Sequence, residues 1–64
     1  MELWEELFTD FELTDIEDMW AEGYSIDEIY EVFYNFHKPA IISGDITGKQ
    51  LYNAIKTYIR DLYK

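Results

Sequence analysis

The chain has no cysteine, so disulfides and thiolate zinc sites are excluded. This suits a reducing cytosol. It has no apolar run near the ~20 residues that span a bilayer, so no membrane segment is expected. Its first residues, Met1-Glu2-Leu3-Trp4-Glu5-Glu6, are acidic, whereas a secretory signal opens on basic residues. A cytoplasmic location is the expectation. One histidine, His37, stands beside a loop with no partner at sequence spacing, and reads as a surface or helix-end residue. There is no glycine-rich phosphate loop and no calcium loop of the D-x-[DN]-x-[DN]-G type. Nucleophilic catalysis needs an activated Ser, Cys or Lys beside a base, and none is indicated. Carboxylates are plentiful, but acid–base work needs them desolvated in a cleft, and so short a helical chain has little room for one. The expectation is a protein that is not an enzyme and holds neither metal nor cofactor.

The most informative shortage is positive charge. Residues 1–37 contain twelve acidic side chains and no Lys or Arg. Residues 38–64 contain five basic and two acidic side chains, a net +3, so the whole chain carries −9. Net charge of this size keeps an aromatic-rich protein soluble. A merely solvated surface usually mixes signs, however, and 37 residues without a cation point to a basic partner.

Apolar material is abundant at 48% hydrophobic and 19% aromatic, which argues against disorder. Sixty-four residues allow one domain, 1–64. A chain of this length buries only roughly 60% of its unfolded surface, so it needs a dense core or a partner.

The chain is organised around Met19 to Phe33. Ser25 is placed as an N-cap, with Glu28 three residues on to complete a capping box. Tyr24 and Ile29 occupy the positions of a hydrophobic staple. Gly23 stands where a helix ending at Glu22 takes a left-handed residue. One helix therefore ends, the chain turns, and another begins at 26.

On either side the same logic applies. Leu3, Trp4, Leu7, Phe8 and Phe11 recur at helical spacing, giving a first helix over 2–11. Its wide apolar face suits core packing, and it also allows a homo-oligomer. Thr14 and Glu17 form a second capping box, so a second helix is expected over 15–22 with Ile16, Met19 and Trp20 inward. Asp15, Asp18 and Glu22 then make an outward acidic stripe. The third helix, 26–36, buries Ile26, Ile29, Tyr30, Phe33 and Phe36, and presents Asp27, Glu31 and an exposed Tyr34 in one row. Pro39 pushes Lys38 from helical geometry. Ala40-Ile41-Ile42 reads as a short extended segment, and Ser43-Gly44-Asp45 as a turn. Thr47 and Gln50 form a third capping box, with Ile46 stapled to Leu51. The last helix runs over 48–63. Leu51, Ile55, Tyr58, Ile59 and Leu62 face inward, and Lys49, Asn53, Lys56 and Arg60 form a basic stripe. The fold class is all-α, a compact bundle of four short helices.

The order of these signals resembles a trihelical helix-turn-helix of the kind found in DNA resolvases, invertases and sigma-factor-like domains. Leu13 to Gly23, Ser25 to Phe36 and Thr47 to Lys64 fill its three helical roles in sequence. The resemblance implies a recognition helix that enters the major groove, with Thr47, Lys49, Gln50, Tyr52, Asn53 and Lys56 as the DNA-facing residues. Gln and Asn read adenine, and Lys contacts phosphate or guanine. Two features depart from the pattern. About ten residues join the last two helices, where the motif uses about three or four. The acidic residues 1–37 also repel a phosphate backbone, whose neutralisation supplies most of the affinity. Direct DNA binding is therefore the alternative.

As a class, a short, acidic, aromatic-rich helical chain looks like the regulators encoded by bacteriophages and mobile elements. These include DNA mimics, anti-restriction or anti-CRISPR inhibitors, and directionality factors of serine integrases. That likeness implies a binding module that docks on a basic or nucleic-acid-binding protein and modulates it. Asp15, Asp18, Glu22, Asp27, Glu31 and Tyr34 are the expected contact residues.

Overall fold

A computed structural model describes residues 3–63, and among them it holds five helices and no strand. They are α1 (Leu3–Leu7), α2 (Asp10–Ala21), α3 (Ile26–Phe36), α4 (Lys38–Ser43) and α5 (Gly48–Leu62). The expected first residue of the first helix, Glu2, lies outside the described residues.

α5 is the element on which the others rest. It packs against α3 most extensively, and also against α1 and α2. Leu51, Ala54, Ile55, Tyr58 and Ile59 are its buried residues. Their i, i+3, i+4, i+7, i+8 spacing is one helical stripe. α3 contributes Ile29 and Phe33, α2 contributes Ile16, and Phe8 enters just after α1. Phe33 is fully buried, with the Phe8 ring 5.7 Å from its own. The Trp4 ring meets Tyr58 edge-on at 4.7 Å, which seats α1 on α5. Burial of the Tyr58 phenol, followed by the charge of nearby Glu17 and hydrogen bonding to it, pushes its pKa above the ordinary tyrosine value.

Three capping boxes set the helix starts. At α3, the Ser25 N–H donates to Glu28 Oε1 at 2.9 Å, and the Glu28 N–H donates to Ser25 Oγ at 3.2 Å. The backbone bond, then the hydroxyl bond, holds Glu28 below the usual carboxylate range. At α5, the Thr47 N–H donates to Gln50 Oε1 at 2.8 Å and the Gln50 N–H donates to Thr47 Oγ1 at 3.1 Å. Gly23 takes φ 97°. Tyr24 N–H bonds to Met19 O at 3.0 Å, and Gly23 N–H to Trp20 O at 3.1 Å. This pair of bonds is a Schellman motif, which satisfies the last carbonyls of α2.

The N-terminal region differs from expectation. The third box lies at Thr9 and Glu12, not at Thr14 and Glu17. The first helix therefore ends at Leu7 instead of 11, and α2 begins at Asp10 instead of 15. Both positions carry the pattern T-x-x-E, and the core decides between them. A helix from Asp10 places Leu13, Ile16 and Trp20 on one inward face, and all three pack in or against the core. Phe11 falls on the opposite side and is 85% exposed. Thr14 is mid-helix, where its hydroxyl donates to the Asp10 carbonyl at 3.0 Å.

The segment after α3 also differs. Lys38–Ser43 is a helix, not a loop with an extended stretch. His37 makes the break, at φ −99° and ψ 10°. Pro39 sits in the first turn, where backbone N–H groups have no intrahelical partner and a missing donor is harmless. Gly44, at φ 87°, ends α4. The Asp45 N–H bonds to Ala40 O at 2.9 Å, and the Gly44 N–H to Ile41 O at 3.2 Å. This is a second Schellman closure. His37 is more than a helix-end residue. Its Nε2 lies 2.6 Å from Glu12 Oε2, which ties the α3–α4 junction to the first turn of α2. At the helix ends, Phe36 (67% exposed) and Leu62 (40%) run past the core that their stripes predict.

Candidate partner-binding surface

Asp27, Glu31 and Tyr34 recur at i, i+4 and i+7, so they stand in one row along α3. Together with Tyr30 and Asn35 they line an open groove of about 470 Å³. Asp27 and Glu31 are exposed. Tyr34 is half-buried and packs against the core, which corrects the expectation of a fully exposed tyrosine.

Beside the groove, α3 and α5 meet closely. Gly48, the first residue of α5, lies beneath the Tyr30 hydroxyl. A Cβ there would come within 2.7 Å of Tyr30 Oη. Glycine at this position lets the two backbones approach. Tyr30 is then held between two rings, with Tyr34 at 5.7 Å and Tyr52 at 5.4 Å, both edge-on. The Tyr52 hydroxyl faces the Asp27 carboxylate. Hydrogen bonding to that carboxylate, followed by its charge, raises the Tyr52 pKa. Asn35 donates through its amide nitrogen to the Glu31 carbonyl at 3.2 Å, so its side-chain oxygen remains as an acceptor. The floor is thus aromatic, and the rim carries two carboxylates and an amide oxygen. Neither Asp27 nor Glu31 lies within ion-pair distance of a Lys or Arg among the described residues.

Asp15, Asp18 and Glu22 are exposed on α2, as their spacing requires, but they do not line the groove. The expected contact residues therefore divide between an acidic row on α2 and an aromatic-floored groove on α3. Sequence reasoning assigned Tyr30 to the core and passed over Asn35. The i+3 and i+8 offsets from Asp27 place both beside the row, and those offsets were the available signal.

The residues that the helix-turn-helix resemblance would place on DNA are arranged less favourably. The Gln50 carbonyl and the Thr47 hydroxyl are engaged in the capping box. A glutamine that reads adenine needs both halves of its amide. Tyr52 is turned toward Asp27. Lys49, Asn53 and Lys56 are exposed. Among the described residues no cluster of His, Cys, Asp or Glu is arranged to hold a metal ion. No described helix is long and apolar enough to cross a membrane.

The chain matches no family model, and neither a curated protein nor a solved structure matches it.

Proposed function

We propose that this protein is a small acidic binding module, of the phage or mobile-element regulator class, that docks on a basic, DNA-acting protein and modulates it. One observation carries this reading. Asp15, Asp18, Glu22, Asp27 and Glu31 are all exposed, and none is within ion-pair distance of a Lys or Arg among the described residues. A surface of one sign without internal neutralisation steers a partner of the opposite sign and repels like-charged ones. The mechanism is electrostatic capture by these rows, followed by fixed contacts at the α3 tyrosines. Aromatic side chains supply such anchors because they offer large contact area at low entropic cost. Competition with DNA for the partner's basic surface, as by a DNA mimic, is one form this takes. Redirection of a bound recombinase is another.

Affinity capture from the native host's lysate, with and without nuclease and read by mass spectrometry, tests the reading. One DNA-acting protein with a basic surface should be retained after nuclease treatment. Recovery that is mainly DNA, or that vanishes with nuclease, would instead favour a recognition role for α5 through Lys49, Asn53 and Lys56.

A further inference from the structure

We infer that the α3 groove is a receptor for an arginine side chain of the protein partner. This rests on the acidic-module reading above and adds the chemistry that is recognised. Every group offered at the rim accepts hydrogen bonds: the Asp27 and Glu31 carboxylates and the free oxygen of the Asn35 amide. The donors are the tyrosine hydroxyls and the second N–H of the Asn35 amide, whereas the charges are all negative, so the complementary ligand is a cation. The floor consists of Tyr30 and Tyr34, set edge-on to each other at 65°. Ring faces attract cations, and a planar guanidinium stacks on them where a compact ammonium does not. The same guanidinium presents forked donors that match a carboxylate. No Lys or Arg among the described residues pairs with either carboxylate, so the chain does not fill its own groove with an ion pair.

The surroundings hold the groove in shape before a ligand arrives. Tyr30 is fixed between the Tyr34 and Tyr52 rings. Glu31 lies one helical turn along, about 6 Å in rise. The groove is open, not enclosed, so it suits a side chain presented by a protein surface better than an engulfed small molecule. Association should be sensitive to salt, since both carboxylates are exposed.

The test is a titration of the intact protein with tri-arginine amide and, separately, tri-lysine amide at low salt, followed by tyrosine ring resonances in NMR. Tri-arginine should bind about two- to fivefold more tightly than tri-lysine, the range expected for exposed cation–π contact. Its shifts should fall on Tyr30 and Tyr34. Glu31→Gln should weaken both peptides, whereas Tyr34→Leu should abolish the preference between them. Because Tyr34 also packs against the core, Asn35→Lys provides a second variant at an exposed position. It places a tethered ammonium at the groove and should remove the arginine preference with helical circular dichroism unchanged. Equal affinity for the two peptides, a preference that survives Asn35→Lys, or binding that leaves the Tyr30 and Tyr34 rings unshifted would overturn the inference and leave the acidic module standing. Binding of neither peptide would count against the acidic-module reading itself.

Discussion

Thr9→Ala and Thr14→Ala should change stability in opposite directions. Thr9 caps α2: its hydroxyl accepts the Glu12 N–H at 3.3 Å, while Glu12 Oε1 accepts the Thr9 N–H at 3.1 Å. Removing the hydroxyl leaves a first-turn donor to water, at a cost of about 1 kcal/mol. For a domain of this size each 1 kcal/mol moves Tm by about 4–8 °C. Thr14 is exposed on the second turn, and its hydroxyl donates back to the Asp10 carbonyl. Such back-bonding slightly disfavours a helix. Alanine there leaves no cavity and gains about 0.5 kcal/mol of propensity. The two variants should therefore differ by about 1.5 kcal/mol, the sum of these two effects. Glu12→Ala should cost more than Thr9→Ala, because Glu12 also holds His37 through Oε2. Urea denaturation followed by circular dichroism gives all three values. A loss at Thr14→Ala that exceeds the loss at Thr9→Ala would place the start of the helix at Asp15 and refute the reasoning.

Further consequences can be measured on the same protein. Gly48→Ala gains helix propensity but drives a Cβ toward the Tyr30 hydroxyl, whose ring is confined by Tyr34 and Tyr52. We expect the clash to win, with a net loss of about 1 kcal/mol in urea denaturation, and a gain would show that Tyr30 yields freely. The Tyr58 pKa is raised on folding, first by burial and then by Glu17, so the folded state retains the phenol proton. That contribution is complete below about pH 10, the ordinary tyrosine value, and is lost as pH rises through the folded value. Tyr58→Phe should consequently lose less stability than the wild type between neutral and strongly alkaline pH, and an identical loss would remove Tyr58 as the cause.

Much of the architecture was legible because helix ends are written in short local codes. Ser25 with Glu28, Thr47 with Gln50, and Gly23 with its left-handed turn each specify a bond pattern within a few residues. Thr9 and Thr14 show where such a code is insufficient. The same T-x-x-E occurs twice within nine residues, and the choice depends on the inward face formed by Leu13, Ile16 and Trp20. α4 was obscured because Pro39 disfavours helix before it yet is harmless within a first turn. Phe36 and Leu62 were misplaced because periodicity gives the face of a helix, not the point where the facing element stops. At the candidate site, the row Asp27, Glu31 and Tyr34 was readable from spacing alone. The contact of Tyr52 with Asp27, and the fit of Gly48 under Tyr30, join residues far apart in the chain and have no local signature.

The most direct test of the binding surface compares two charge reversals of equal size. Asp27→Lys with Glu31→Lys alters the groove, and Glu5→Lys with Glu6→Lys alters exposed positions on α1. Affinity for the captured partner would be measured by calorimetry at fixed salt, with circular dichroism confirming that both variants are folded. The groove pair should weaken binding by more than about tenfold, equivalent to about 1.4 kcal/mol, while the α1 pair leaves it nearly unchanged. Equal losses in the two variants would mean that only net charge matters, and no loss at the groove would contradict the assignment of this surface.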